Sequence, residues 1–563
     1  MTTQMFNRRT VLGGTAALGA AGMLVACGKK SSSTEEKQVL GADSDIKNLY
    51  NINEKDPKTL KQGGELNLSI GGLGPDYNVR STNGNSSYVL DVIAPVHAAS
   101  VWITNFAGEY VLDKNFCLDF SETEENGKQI LTYTMNPKAN FNDGTPIDVD
   151  AFEATWQIQK SSDGDYKIAA VGFYDRVESV EAVGGDKRKV KVTMAEPAYP
   201  STDLFTYFLH PKMKDPELFN NGFNNNLHDE LGAGPFKVGK LDTSAKVLTL
   251  VPNEKWWGNK PRLDKIVFRE MDPAASRAAL KNGEIDALAT SSSSTYMEIN
   301  GTKGTETRKG QHLYAGGLNI NPKRVEDQKV RKAIFVGTNR AALANIWFKG
   351  LPYEEKVPGS MILLPFSKNY RDNFPTAADN DRIKAAQKIL EDAGYTKSGD
   401  YYQKDGKNAK ATITIFGDTP ASNAQAQTFV QNMKEIGIES GIDNQPLSAF
   451  STVVASKSYD IAVSGYGVSQ DPTAATKYFY SREDQDGVGT AEIDEMIKKM
   501  LLEKDNDKRA QLCNDIEKKH MEDVSTLGSV QNGPDFVVCK QKLANYGAFL
   551  FASTVWENVG WEE

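Results

Sequence analysis

Cysteine is nearly absent from this chain: Cys27, Cys117, Cys513 and Cys539 are the four in 563 residues. So sparse a set excludes a disulfide-stapled scaffold. With Cys27 set apart the remainder is odd, so at most one internal disulfide can form. Cys513 and Cys539 are the nearer pair in sequence, and three buried thiols are the alternative. Histidine is almost as scarce. His97, His210, His228, His312 and His520 are scattered, no Cys or His pair has zinc-site spacing, and no HExxH run occurs. Neither metal nor cofactor is expected. A Walker phosphate loop, a GxSxG elbow and a visible nucleophile–base set are all missing, so the chain does not read as an enzyme. Positive charge is in deficit, with 65 Lys and Arg against 74 Asp and Glu, a net −9. That balance argues against nucleic-acid partners and against a polybasic grip on anionic lipid. After residue 26 no apolar run approaches the ~20 residues that a membrane span requires.

What is present begins at the N-terminus. Arg8-Arg9 precede a short apolar stretch, Val11 to Ala26, which closes as Leu24-Val25-Ala26-Cys27-Gly28. A charged start, a short apolar run and small residues before a break form a secretory signal rather than a span. The cysteine at the break resembles a bacterial lipobox, whose thiol carries lipid and becomes the new N-terminus. Cys27 is thus the expected lipidation site, and the rest of the chain is expected outside the cell membrane, anchored to it as a lipoprotein. Arg8-Arg9-Thr10-Val11-Leu12 also resembles a twin-arginine export signal, and a plain basic start is the alternative. Cleavage before Cys27 removes two arginines and no acid, leaving 537 residues at a net −11. Residues 28–62 are polar, with Lys29-Lys30-Ser31-Ser32-Ser33 at their head, and predict a flexible tether.

A body of this length needs two or more lobes. Leu66, Leu68 and Ile70 alternate as in a strand. Asp148 can cap a helix carrying Val149, Phe152 and Trp156 on one face. Strands are predicted at 234–238, 247–250 and 411–416, and an Asp405-Gly406 hairpin turn near 401–407. Helices are predicted at 274–280, at 425–436 and, with charged outer faces, across 491–521. Strands and helices alternate throughout, so the class is α/β.

Several blocks then match one family in order. Phe141-Asn142-Asp143-Gly144-Thr145-Pro146 with Trp156 following resembles a "DGTP" block. Gly232-Ala233-Gly234-Pro235-Phe236, then Asn253 and Trp256-Trp257, resembles "GTGPY…N…YW". Leu280 to Asp286 resembles "L-x-x-GEID", and Asp327 to Ile334 with Asn339-Arg340 resembles "VRxAI…DR". Ile389 to Tyr395 and Ile436-Gly437-Ile438 continue the match, which covers about residues 63–545. Together they resemble the large solute-binding proteins of ABC importers, the family 5 group of oligopeptide- and dipeptide-binding proteins. The resemblance implies a two-lobed, periplasmic-binding-protein-like type II fold with an inserted subdomain and an interlobe ligand cleft. On that pattern residues 1–26 are the signal peptide and 27–62 the lipidated tether. Residues 63–98, 231–310 and 525–563 form lobe I, 99–230 its inserted subdomain, and 311–524 lobe II. Most of the blocks read as structural: Trp156 as core, Trp256 and Trp257 as packing between lobes, Arg331 as a helix-surface ion pair.

The segment Tyr459 to Pro472 resembles the family's cleft block "W-x-x-D-Y-x-x-P". In the peptide-binding members the aspartate four residues before that proline pairs with the ligand's α-amine. Here Val468 holds that place and Gly465 replaces the tryptophan. A buried ammonium without a carboxylate is costly. Three readings stay open: the ligand's N-terminus is not held there, Asp471 moves in to hold it, or the ligand has no free amine. Gly465-Tyr466-Gly467 would also let a ligand approach the backbone closely. Tyr77, Asn319, Phe416, Tyr466, Gly467, Ser469 and Asp471 are the cleft candidates, each where a strand gives way to a loop. The resemblance implies a monomeric, membrane-anchored receptor that hands oligopeptides to ABC permease subunits, with a separate ATPase driving import. An oligosaccharide or other non-peptide cargo is the first alternative, and a surface lipoprotein acting as adhesin or chaperone the second.

Overall fold

The computed structural model describes residues 38–40, 45–160, 164–169, 171–375, 381–446, 449–482 and 488–563. The signal segment, Cys27 and residues 28–37 and 41–44 of the polar tract lie outside the described residues. No helix among the described residues is long and apolar enough to cross a membrane.

Two sheets organise the body. The first has seven strands in the order Thr305–Gln311, Pro534–Lys540, Ala287–Thr290, Glu65–Ile70, Lys265–Glu270, Val247–Pro252, Phe236–Asp242. Glu65–Ile70 is parallel to both its neighbours, and the outer pairs are antiparallel. Its alternation is the one read from sequence, with Leu66, Leu68 and Ile70 turned into the lobe I core. The second sheet has five strands in the order Ile442–Gln445, Ile413–Phe416, Ile461–Gly467, Tyr314–Ile320, Leu527–Gln531. The chain passes between the sheets twice, at 311–314 and 531–534. Leu527–Gln531 therefore sits in the second sheet, although the sequence boundary at 525 assigned it to lobe I.

Residues 99–230 carry a four-stranded antiparallel sheet, Cys117–Glu125, Lys128–Met135, Asp186–Met194, Val177–Val183, with the helix Val149–Gln159 packed on it. That helix starts where Asp148 accepts from the Asp150 amide, and it buries Phe152 against Tyr133 and Phe205. Elsewhere Pro273–Asn282 ends at Gly283, whose φ of +76° is the left-handed value that a glycine stop supplies. The three described thiols are free and buried.

Three expectations change. The body starts before residue 63: Leu49, Ile52 and Leu60 are buried, and Asn51 bridges to Ala548. Full burial of a leucine such as Leu49 contributes roughly 1.5–3 kcal/mol, enough to hold a short polar segment down. The fully buried Arg308 fastens the same region by donating to the carbonyls of Ile52, Leu543 and Tyr546. Arg331 is no surface ion pair; it is buried and donates to the carbonyls of Val524, Val325 and Glu326. Trp256 and Trp257 pack on Phe116, just before the strand Cys117–Glu125, and Trp257 Nε1 donates to Asn115 O at 2.8 Å, so they join the inserted subdomain to the first lobe.

Candidate functional site

The carboxyl ends of Ile413–Phe416, Ile461–Gly467 and Leu527–Gln531 lie on one edge of the second sheet, where Tyr314 begins the antiparallel strand. The inserted subdomain meets this edge. Gly108, at φ +82°, packs on Gln470 and Phe551 so closely that a side chain there would overlap both. Lys504 reaches Glu122 at 3.9 Å, and Phe366 faces Phe551 at 6.1 Å between ring centroids. One buried apolar cluster runs across the junction, from Phe116, Tyr133 and Phe152 to Leu363, Val468 and Phe479.

The cleft candidates fare unequally. Phe416 ends its strand half-buried against Phe450, rings at 4.9 Å, and Tyr466 lies edge-on to Phe479 at 4.6 Å. Ser469 is exposed and donates to Asp471 O at 2.6 Å. Gly467 is buried and pairs with Tyr314 in the ladder. Tyr77 is 2% exposed within the lobe I core, stacked over Gly74, and offers a solute no surface. Asn319 is five residues along its strand from Tyr314, roughly 17 Å from the cleft edge, half-buried with its amide 3.5 Å from Tyr466 Oη.

Gly465 has a different purpose from the one read in sequence. A Cβ there would overlap the ring of Tyr314, which lies across the glycine where the family's tryptophan would stand. The glycine admits a neighbouring side chain rather than a ligand. Tyr314 in turn stacks on His312 at 5.4 Å with an interplanar angle of 14°. Val468 points into the apolar cluster, 6% exposed, and its amide donates to Leu313 O at 3.1 Å. A carboxylate at this position would be stranded among apolar atoms.

Charge enters next to it. Asp471 lies just before the helix Thr473–Tyr480, accepting from the Thr473 amide at 2.8 Å and from Arg509 Nη2 at 2.7 Å. Arg509 is 1% exposed and also donates to Thr473 Oγ1 and to Glu503 O, so it is fixed on every side. From the inserted subdomain Asp203 faces this pair. Burial, then the charge of Asp471, raise its carboxyl to about 7, and Arg509 offsets only part of the rise. Tyr110 completes the group: burial, then Asp203 and Asp471, push its phenol above the ordinary value, yet 38% of the side chain is open to solvent. A group that is desolvated by protein on most sides and still wetted lines an internal cleft rather than an outer surface. Asp471 thus holds the guanidinium directly, while Asp203 lies within reach of its field without pairing with it. Sequence reading missed Asp203, Tyr110 and Tyr314, which belong to no motif. It expected charged outer faces on the helices across 491–521 and did not single out Arg509, which is buried.

Elsewhere, a cavity of about 530 Å³ opens on the flank of the second lobe among Lys332, Arg371, Asp372, Lys388 and Lys518, and shares no residue with this cluster. No group of three or more His, Cys, Asp or Glu suited to a metal occurs among the described residues.

Comparison with known proteins fits this architecture. The oligopeptide-binding protein OppA of Mycobacterium tuberculosis is 28% identical over 554 residues, covering 96% of this chain and 92% of the relative. A probable monoacyl phosphatidylinositol tetramannoside-binding protein, LpqW, of the same species is 23% identical over 428 residues, covering 68% of this chain and 64% of LpqW. Among solved structures, the periplasmic EDTA-binding protein EppA superposes with a TM-score of 0.79 at 21% identity, over 90% of this chain and 98% of EppA. The oligopeptide-binding protein AppA of Bacillus subtilis, in complex with a nonapeptide, superposes at 0.72 and 19% identity, over 90% of this chain and all of AppA. Residues 93–487 match the family described as "Bacterial extracellular solute-binding proteins, family 5 Middle". The chain belongs to that family: it is a solute-binding receptor of an ABC import system.

Proposed function

We propose that this receptor captures oligopeptides between its lobes and grips their α-amine with Asp203 and Asp471. The observation that carries the reading is the charge imbalance between the lobes, two carboxylates against Arg509 alone, with the exposed face of Tyr110 beside them. An ammonium entering there would neutralise the excess and draw Asp203 into its ionised form. The family's aspartate is replaced by Val468, whose side chain is committed to the core, so the amine site has moved to the neighbouring acids. Because Asp203 and Asp471 come from opposite lobes, an ammonium between them would favour the closed form, which is how such receptors couple capture to hinge closure. The 28% identical OppA supports a peptide cargo. Lipidation at Cys27, monomeric function and delivery to permease subunits complete the proposal.

The test is calorimetric titration of the tag-free mature domain, stripped of bound solute by mild unfolding and refolding. A mixed peptide pool should give saturable heat, and N-terminal acetylation of the pool should abolish most of it. Heat from an oligosaccharide pool alone would replace the peptide reading with a sugar one. Undiminished heat after acetylation would remove the amine site and leave the receptor.

A further inference from the structure

Among the described residues, Arg80 is a deeply set cation whose donors are poorly met. It follows the strand Glu65–Ile70 in the loop at the carboxyl end of the first sheet, the edge at which open α/β sheets take ligands. Its backbone is held on both sides: the amide donates to Asn78 Oδ1 at 3.1 Å and the carbonyl accepts from Ala169 at 2.8 Å. Its side chain is poorly served. Nε is buried with no hydrogen-bond partner, and Nη2 has only Thr206 Oγ1 at 3.4 Å. The guanidinium lies 5.0 Å from the centre of the Tyr207 ring. Among the described residues no carboxylate pairs with it, and the groups whose fields reach it are the phenols of Tyr174 and Tyr207. Burial lowers its pKa below the ordinary arginine value, the mark of a cation kept from water. The residue is nonetheless not sealed off, since it retains intermediate exposure.

Burying an arginine without an anion is unfavourable unless other acceptors take its donors, as the carbonyls around Arg331 do; Arg80 lacks such acceptors, and its planar fork suits an arriving anion. Thr206 lies three residues along the chain from Asp203, within roughly 11 Å of it by backbone length. Yet Asp203 is perturbed by Asp471 and Arg509, and not by Arg80. The acidic group at Asp203 and the cation at Arg80 are thus electrically separate, although Thr206 and Asp203 belong to the same short segment.

We propose that Arg80 is the carboxylate anchor of the solute cleft, receiving an anionic oxygen pair from the bound molecule. The inference rests on the receptor reading above and deepens it: the preferred cargo is a zwitterion, amine toward Asp203 and carboxylate toward Arg80. The planar fork of the guanidinium suits two carboxylate oxygens, and Thr206 Oγ1 is placed to add a third donor. The carboxylate can come from a peptide C-terminus or from an acidic side chain.

The experiment is a calorimetric cycle on the stripped mature protein, using short alanine peptides with free or amidated C-termini and the same amidated peptides ending in glutamate. Wild type should lose tenfold or more in affinity on amidation, and in Arg80→Gln the free and amidated forms should bind alike. If the amidated glutamate peptide recovers wild-type affinity, the anchor reads a side chain as well as a terminus; if it does not, a terminus alone. An amidation penalty of the same size in Arg80→Gln and wild type overturns the proposal. Should no peptide bind wild type, citrate and EDTA serve as peptide-free carboxylate probes. Binding of either to wild type and not to Arg80→Gln keeps the anchor while discarding the peptide reading; binding of neither, or equal binding to both, discards the anchor too. A second readout separates anchoring from structure. An unpaired cation costs the empty protein stability, so ligand-free Arg80→Gln should melt at or above wild type. A clear fall in its melting temperature would assign Arg80 a structural purpose and overturn the proposal independently.

Discussion

The acid cluster makes a sharp prediction about pH. Asp203 is raised to about 7 by burial and by Asp471. In the empty receptor it is about half ionised at pH 7 and ionised in about one molecule in a hundred at pH 5. If the ligand's ammonium needs the ionised form, affinity should fall on the order of fifty-fold from pH 7 to pH 5 and change little above pH 8. The sign follows from linkage, because a bound ammonium lowers the Asp203 pKa, so binding releases a proton and is weakened by acid. Asp203→Asn should flatten this profile and bind peptide more weakly at pH 8. The same substitution has an opposite signature in stability. An acid whose folded pKa is raised binds more protons folded than unfolded, so its contribution is lost as pH rises from about 4 to about 7. The ligand-free Asn variant should therefore gain stability relative to wild type across that window. Calorimetry in two buffers of different ionisation enthalpy counts the released protons directly, and denaturant titration at pH 5 and pH 7.5 measures the stability difference. A wild-type affinity that is flat between pH 5 and 8, with no proton released, would refute the reasoning.

Three further outcomes follow from the same geometry. Gly465→Ala should destabilise by about 1–3 kcal/mol, because its Cβ meets the Tyr314 ring, and Tyr314→Ala should relieve most of that cost; a double-mutant cycle by urea unfolding measures the coupling. Arg509→Met leaves Asp471 and Asp203 facing each other without a cation, so it should cost about 3 kcal/mol at pH 8 and less at pH 5, where Asp203 takes up a proton. Glu355 sits between the two crossing segments, accepting from the Asn532 amide at 2.8 Å and from Tyr353 Oη at 2.6 Å, with burial raising it to about 7. Glu355→Gln should therefore gain stability relative to wild type as pH rises from about 4.5 to about 7, read from melting curves at the two ends.

Why some of this was legible in sequence and some was not has a physical reason. Strands such as Glu65–Ile70 and caps such as Asp148 and Gly283 are local: the period of burial or a single side-chain acceptor decides them, and both are visible within a few residues. The family blocks are likewise turns and helix faces, so they report the scaffold. The polar composition of 45–62 misled because three apolar residues, Leu49, Ile52 and Leu60, suffice to dock the segment once Arg308 takes the Ile52 carbonyl. The binding chemistry was least legible, since it joins residues more than 250 positions apart. Asp203 has no periodic or motif context, and nothing near it in sequence says that Asp471 will face it. The cleft block gave a true signal in the negative, a missing acid at Val468, but could not say where the charge had gone. The structure shows why an acid does not suit that position, and the proposed function gives the charge a destination. Val468 faces inward because Gly465 has yielded its space to Tyr314, and the next outward-facing acid, Asp471, already has its arginine. The carboxylate left short of a cation is Asp203, on the opposite wall. On the proposed reading, a substitution that looks like loss of ligand chemistry along one strand is a transfer of that chemistry to the opposite wall, which the acetylated-peptide titration and the Asp203→Asn pH profile test together.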